Sequence, residues 1–330
     1  MTLTQAELED IQADAMADDI AIDLEKMSLW TREQATTYFE SGGEVEPAVA
    51  PPPFTAPFTN GTTSTGATPW LACLEKKPSA TRRLVVVSWT GNRGGQGSAH
   101  NIRRAPANWS KEVGPEVEVY EVALPGRGTR VKEALFTSTP ELVKEMAAQI
   151  GGALQGGPPY ALVGFAFGAV LAYELGRAIA EGSGQSEGPA LLIACSAEGP
   201  SWSDRRGTQH SLGESAFIDL LRRKGGTDFI LQDPGLTKMY VPVIKADLTL
   251  EETYTPPATH AAFPIVALVG TLPGRDKEKS VVSAASAELW GMATSAPYRQ
   301  RQLSTDWYIM QEESGVQAVL EEAKTFLLAL

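Results

Sequence analysis

The sequence contains few of the side chains on which metal binding and nucleophilic catalysis most often depend. Its 330 residues include three histidines and two cysteines. The histidines are His100, His210 and His260, and the cysteines are Cys73 and Cys195. Two cysteines exclude a disulfide scaffold and a cysteine-rich metal site. The sequence has no metal-ligand cluster and no glycine-rich dinucleotide motif, so we predict neither a metal nor a cofactor.

Basic charge and uninterrupted apolar runs are also scarce. The chain has 28 Lys and Arg residues against 40 Asp and Glu, a formal net charge of −12. Basic residues do not cluster with aromatic residues, which argues against nucleic acid as a partner. No unbroken apolar stretch is long enough to span a membrane, and the acidic N-terminus lacks the apolar core of a secretory signal. We therefore expect a cytoplasmic protein without a membrane span.

The negative charge is concentrated at the start of the chain. Residues 1–46 contain twelve acids and two bases, which gives −10 and leaves −2 for the other 284 residues. This acidic extension is predicted to be helical, and residues 47–80, rich in Pro, Thr and Gly, are predicted to be a linker. The extension is either a docking segment for a protein partner or a solvated tail that packs loosely on its own domain.

From residue 81 to residue 330, short apolar runs alternate with helical periodicity. This alternation predicts an α/β fold with a mostly parallel, doubly wound sheet. The predicted strands are 84–88, 117–124, 160–163, 190–195, 263–269 and an edge strand at 299–303. The predicted helices are 139–154, 169–181, 214–224, 280–290 and 316–330. Residues 201–258 break the alternation, and we expect them to form a helical lid over the carboxyl ends of the strands.

One pentad has the frame of a catalytic motif. Residues 164–168 (GFAFG) follow the strand 160–163 and precede the helix 169–181, as in a nucleophile elbow of pattern Gly-x-Ser-x-Gly. The central residue of such an elbow lies on a sharp, strained turn, so its neighbours two positions away must have almost no side chain. Both glycines are present. Ala166 occupies the centre, and it has no hydroxyl with which to attack a carbonyl.

Further motifs in the same order make residues 82–328 similar to the type II thioesterases, stand-alone α/β-hydrolases that edit polyketide and nonribosomal peptide synthesis. Residues 158–177 (PPYALVGFAFGAVLAYELGR) resemble the elbow of that family, which has Gly-His-Ser-x-Gly. Residues 117–134 (VEVYEVALPGRGTRVKEA) resemble its strand and LPGR loop. Residues 243–254 (VIKADLTLEETY) resemble its return from the lid, and 263–270 (FPIVALVG) the strand before its acid loop. The resemblance implies an α/β-hydrolase fold and acyl thioesters presented by acyl or peptidyl carrier proteins.

The resemblance also assigns the positions of the catalytic triad. The nucleophile position is Ala166, and the acid position is Asp276, in a loop longer than the family's. The histidine position falls on Trp307, or on Asp306 if the register slips by one residue. No histidine follows His260, so neither register supplies the base. An elbow without its base would poorly activate even a restored hydroxyl.

The oxyanion hole and the pocket walls are assigned in the same way. The family's oxyanion loop corresponds to residues 88–95, and the resemblance implies backbone N–H donors from Thr90 and Phe167. This loop differs from the family pattern, because Ser88 replaces a proline and two residues are inserted. Trp89 and Phe165 are expected to make the pocket more apolar.

Two arginines of the LPGR loop are candidate contacts for a carrier. Arg127 and Arg130 are interpreted as facing the phosphate of a phosphopantetheine arm or the surface of a carrier protein. The alternative is that this loop is architectural and that its arginines are solvated.

These residues support three hypotheses for function. The first is a non-hydrolytic pseudo-thioesterase that binds an acyl chain, a carrier protein or a larger assembly. The second is an acyl-thioester hydrolase whose serine has been replaced by alanine in this chain. The third is a non-covalent cyclase or templating enzyme, for which Asp276, His100 or His210 would be the acid or base.

Overall fold

The computed structural model describes residues 68–89, 109–183, 188–224, 227–272, 282–306, 309 and 313–329. The acidic extension 1–46 lies outside these residues, so its helical structure and its contact with a partner stay predictions. None of the described helices is both long enough and apolar enough to cross a membrane.

A seven-stranded sheet forms the centre of the described structure. Its strand order is β1-β3-β2-β4-β5-β6-β7, and every neighbouring pair is parallel except β1 and β3. The strands are β1 (Leu71–Cys73), β2 (Arg82–Val87), β3 (Val117–Val122), β4 (Tyr160–Phe165), β5 (Leu191–Cys195), β6 (Ile265–Leu272) and β7 (Tyr298–Asp306). The mostly parallel α/β fold is therefore confirmed, and β7 is the predicted edge strand.

Eight α-helices connect or flank these strands in the described residues. They are α1 (Trp109–Glu112), α2 (Thr139–Leu154), α3 (Phe167–Gly182), α4 (Glu214–Lys224), α5 (Asp228–Gln232), α6 (Pro234–Thr253), α7 (Ala284–Glu288) and α8 (Glu313–Leu327). The predicted helices 139–154 and 214–224 agree residue for residue. Side-chain N-caps explain where two of these helices begin. Ser138 accepts from the N–H of Glu141 at the start of α2, and Asp233 accepts from two N–H groups at the start of α6.

Residues 68–80 belong to the folded domain. Strand β1 pairs with β3, placing Leu71 opposite Val122, and Trp70 beside it is only 4% exposed. This corrects the predicted linker, 47–80, at its C-terminal end. A three-residue strand is too short to produce a periodic signal, and its surroundings have the composition of a linker.

Alternate residues of each central strand divide the core between the two faces of the sheet. On β2, Val85 and Val87 belong to the apolar cluster that includes α2 and α3. Leu84 and Val86 belong to the cluster that includes α1 and α8. This division follows from the period-two geometry of a strand, and it buries the sheet on both faces.

The residues between β5 and β6 form a helical insertion with an apolar core of its own. Helices α4, α5 and α6 contribute to this small core, which includes Phe217, Ile230 and Leu248. The helical nature predicted for 201–258 is thus present in its described part. Two residues further along α6, about half a turn away, Leu250 belongs instead to the core beneath α2 and α3.

Candidate active site

The chain passes from β4 into α3 through a single strained residue. Strand β4 ends at Phe165, helix α3 begins at Phe167, and Ala166 between them has φ 49° and ψ −130°. A residue with a side chain adopts such a backbone conformation at a cost of about 1–3 kcal/mol, and only where its surroundings enforce it. The backbone of a nucleophile elbow is therefore present, with an alanine at its apex.

Glycines on both sides of the apex are required by close backbone contacts. A Cβ added to Gly164 would lie 2.3 Å from the Cα of Ala169. A Cβ added to Gly168 would lie 2.6 Å from the carbonyl oxygen of Val87. The obstructing atoms belong to the backbone of α3 and β2, so they cannot move aside cheaply. The glycine spacing therefore allows β2, β4 and α3 to meet at the carboxyl edge of the sheet.

The apex has no reactive side chain, and its own backbone N–H is already bonded. Ala166 is half-buried, and its N–H donates to the carbonyl of Cys195 at 3.1 Å. No side chain caps the start of α3, where the N–H of Ala169 donates to the carbonyl of Ala166 at 3.0 Å. Burial raises the pKa of the Cys195 thiol well above its usual value, which keeps this nearby cysteine protonated and unreactive.

An aromatic cluster packs against the start of α3. The ring of Phe167 makes edge contacts with Trp89 at 5.2 Å and with Tyr254 at 5.6 Å between centroids. The guanidinium of Arg205 lies 5.9 Å from the Phe167 centroid and donates to three backbone carbonyls of the loop after β5. This cluster joins the end of β2, the elbow and both ends of the helical insertion.

Phe165 does not share a pocket wall with Trp89, contrary to the sequence interpretation. Its ring packs against Trp109 at 6.3 Å, in the core layer of α1 and α8, whereas Trp89 lies in the opposite layer. The reason is strand alternation, because Phe165 follows Val163 on the same face of β4. Only Trp89 of this pair is brought next to Phe167.

A buried polar network ties the helical insertion to α3. The hydroxyl of Tyr254 donates to Oε1 of Glu174 at 2.6 Å, and Arg177 donates to Oε2 at 3.0 Å. Burial raises the pKa of Glu174 despite these two partners. Burial and the Glu174 charge also raise the pKa of Tyr254, so its hydroxyl stays protonated and remains a donor.

Both arginines of the LPGR loop have partners inside the domain. Arg127 forms a bidentate ion pair with Asp247 of α6, with N···O distances of 3.0 and 2.7 Å. Arg130 stacks over the Trp70 ring at 4.1 Å and donates to the carbonyl of Ala123. The structure therefore gives both side chains an architectural role, and their contact with a phosphate or carrier stays a prediction.

The other triad and oxyanion positions lie at or beyond the limits of the described residues. Thr90, Asp276 and Trp307 fall outside them, and Asp306 is described only as the last backbone position of β7. The parallel arrangement still places the ends of β4, β6 and β7 at one edge of the sheet. Their predicted roles remain predictions.

The helical insertion contains an acid–histidine pair that has no signal in the sequence. Nδ1 of His210 lies 2.7 Å from Oε2 of Glu252, and the same oxygen accepts from the His210 backbone N–H at 2.9 Å. Glu252 is buried near the end of α6, two residues before Tyr254. The two residues are 42 positions apart, so no local sequence pattern predicts their contact. No group of three or more potential metal ligands occurs among the residues that the structure describes.

Comparisons with known proteins agree with this architecture. The sequence profile of the Thioesterase domain family matches residues 104–327. Thioesterase PikA5 of Streptomyces venezuelae is 29% identical over 246 residues, covering 74% of this chain and 81% of that protein. The human medium-chain S-acyl fatty acid synthase thioesterase is 29% identical over 187 residues, covering 56% of this chain and 66% of that protein.

A solved structure gives the same result. The RedJ thioesterase from the prodiginine biosynthetic pathway of Streptomyces coelicolor superposes with a TM-score of 0.58 and 25% identity. That match covers 75% of this chain and 86% of RedJ. The resemblance to type II thioesterases is therefore confirmed, and this chain belongs to the thioesterase domain family, with the α/β-hydrolase-like fold of its polyketide, nonribosomal-peptide and fatty-acid members.

Proposed function

We propose that this chain is a non-hydrolytic thioesterase-like protein that binds an acyl chain, alone or on its carrier protein. One observation carries the proposal: the strained apex of the elbow is Ala166, so the geometry of a nucleophile site surrounds a methyl group. A serine route through an acyl-enzyme needs a hydroxyl at this atom and a base beside it. The resemblance to the type II thioesterases implies that Trp307 or Asp306 takes the position of that base.

The remaining parts of the site suit binding. The glycines that shape the elbow are retained, so the fold does not depend on the missing hydroxyl. The helix N-terminus still offers its N–H groups to a carbonyl oxygen. The aromatic rings of Trp89, Phe167 and Tyr254 supply apolar surface beside it. The named relatives are thioesterases, which supports an acyl thioester as the ligand class.

The helical insertion serves as the lid of this site. Two contacts support this role: the Tyr254 ring and the Arg205 guanidinium both lie against the ring of Phe167, the residue after the apex. Because Arg205 and Tyr254 lie near opposite ends of residues 201–258, both ends of the insertion reach the elbow. Because the insertion has a separate apolar core, we expect α4 and α5 to open as a unit relative to the sheet.

The test is thiol release from a panel of acyl-pantetheine thioesters by this chain and by Ala166→Ser, side by side. We expect no turnover from either protein, because the serine variant still lacks a base. Calorimetry with the same thioesters is expected to show binding by the unmodified chain. Thermal unfolding of the two proteins checks that the substitution preserves the fold.

Two outcomes contradict the proposal. Turnover that appears only with Ala166→Ser means that a base and an acid are present at the site. This chain would then be a hydrolase that lacks only the serine hydroxyl. Turnover by the unmodified chain means that another group activates water.

The His210–Glu252 pair favours a second candidate, a non-covalent cyclase or templating enzyme. A carboxylate at Nδ1 orients an imidazole, as in known general bases. Such an enzyme would release thiol together with a cyclic product and no free acid. His210→Ala would then abolish thiol release, whereas a purely structural pair would leave product formation intact.

A further inference from the structure

The indole of Trp89, whose ring packs against Phe167 just after the apex of the elbow, has an unpartnered hydrogen-bond donor. Trp89 is 3% exposed, and its Nε1 has no hydrogen-bond partner. Buried donors are almost always paired, with protein, with water or with a ligand, because leaving one unpaired costs about 1–3 kcal/mol. An orphaned indole at a helix N-terminus is therefore a candidate donor to a bound acceptor.

Position separates Trp89 from a second orphaned indole. Trp109 also has an unpartnered Nε1, but it is fully buried in the other core layer, against Phe165. Trp89 instead lies against the start of α3: a Cβ on Gly168 would be 3.1 Å from the Trp89 Cβ and 3.5 Å from its backbone nitrogen. Its ring also contacts Phe167, the first residue of that helix.

Two further features at this place favour negative charge. Helix α3 is 16 residues long and has no side-chain cap, and its first residue, Phe167, contacts Trp89, so the positive end of the helix dipole lies beside Trp89. The Arg205 guanidinium, 5.9 Å from the Phe167 centroid, adds a full positive charge.

We propose that this site binds the carboxylate of a free acyl acid, with the Trp89 indole N–H as one of its donors. A carboxylate has two oxygens, one to accept from the helix N-terminus and one to lie where the serine hydroxyl is missing. This inference rests on the proposed function, because a working hydrolase would release this acid as product. It names the ligand class of the site and gives Trp89 a role in positioning it.

The experiment titrates the full chain with decanoate and with 1-decanol, which has the same chain length but no charge. Calorimetry is expected to show binding of decanoate at least about tenfold tighter than that of decanol. In parallel, one indole resonance in the ¹H–¹⁵N spectrum is expected to move with decanoate and to stay in place with decanol. Equal affinities for the two ligands, or indole resonances that do not respond, would overturn the inference.

Two matched variants assign the donor. Trp89→Phe keeps an aromatic ring and removes the N–H, so decanoate affinity should fall about tenfold while decanol affinity changes little. Trp109→Phe removes the other orphaned N–H and should leave decanoate affinity unchanged. If Trp109→Phe weakens decanoate binding as much as Trp89→Phe, the donor assignment is wrong. If Trp89→Phe fails to fold, the inference is tested by whether an indole resonance of the unmodified chain moves with decanoate and not with decanol.

The measurements with acyl-pantetheine thioesters distinguish a failure of this inference from a failure of the proposed function. Thioester binding without turnover, combined with no decanoate binding, overturns the carboxylate site and leaves the non-hydrolytic function standing. Decanoate binding combined with thioester turnover overturns the non-hydrolytic function and leaves the carboxylate site in place, as a product site.

Discussion

Arg127 and Asp247 are 120 positions apart and form a bidentate ion pair that fastens the loop after β3 to α6. The side chain of Asp247 is 2% exposed and that of Arg127 is 14% exposed, so little solvent screens the pair. Two residues that sequence analysis treated separately, in the LPGR loop and in the return from the insertion, are thus one structural unit.

Removing one partner of this pair is expected to be costly. Asp247→Ala leaves the guanidinium of Arg127 buried without its counter-ion and should lower the free energy of unfolding by about 3 kcal/mol. Urea denaturation measures the loss. The double variant Arg127→Met with Asp247→Leu removes both charges and should lose much less. A loss below about 1 kcal/mol for Asp247→Ala would show that the pair is solvated.

Relief of strain at the apex is expected to stabilise the protein. Ala166→Gly removes a strain of about 1–3 kcal/mol, against an entropic cost of about 0.5–1 kcal/mol for glycine. The expected gain is about 1 kcal/mol, or a rise in Tm of about 2–4 °C. Gly168→Ala is the contrasting variant and should destabilise by about 1–3 kcal/mol, because its Cβ meets the Val87 carbonyl. A lower Tm for Ala166→Gly would mean that the apex is unstrained.

The buried carboxyl of Glu174 is expected to make stability depend on pH. Burial raises its folded-state pKa above the unfolded value of about 4.3, so the folded state holds this proton more tightly. The resulting stabilisation is complete below about pH 4.3 and is lost as pH rises through the folded-state pKa. Glu174→Gln removes this dependence. Its free energy of unfolding minus that of the unmodified chain should therefore increase between about pH 4 and pH 7.

Tyr254→Phe provides the companion measurement for the same carboxyl. The hydrogen bond from Tyr254 lowers the pKa of Glu174, partly offsetting the effect of burial. Its loss should raise that pKa further and extend the pH-dependent range upward. A pH profile indistinguishable among the three proteins would mean that Glu174 is solvated.

The corrected domain boundary predicts a difference between two truncations. A chain of residues 61–330 keeps β1, whereas a chain of residues 81–330 loses it and exposes the edge of β3. The shorter chain also loses Trp70, which is the ring beneath Arg130. We expect the shorter chain to unfold at a lower temperature and to aggregate more readily. Equal Tm values would show that residues 61–80 contribute nothing to stability.

The sequence predicted the elements whose signal is local. The continuous apolar runs of β2, β4 and β5, the spacing of Gly164 and Gly168, and the edge strand near Arg301 were each visible within a few residues. Their apolar runs specify burial, and burial in an α/β protein specifies the parallel sheet.

What the sequence did not predict depends on contacts between distant segments. The partner of Arg127 lies 120 positions away, and Glu252 meets His210 across 42 positions. Predicting that Phe165 and Trp89 lie apart requires knowing which face of the sheet each side chain occupies, one at the end of β4 and the other just after β2. None of these pairings produces a periodic pattern, because each is set by how the layers pack.

The division of α6 between two apolar cores has a consequence for cooperativity. Leu248 packs with the insertion, and Leu250 packs with the core beneath α2 and α3. A unit with its own core can open without disrupting the sheet, so amide protons of α4 and α5 are expected to exchange through sub-global openings. Those of β4 and β5 would exchange only when the whole domain unfolds. The boundary between these two exchange regimes should fall within the last turns of α6.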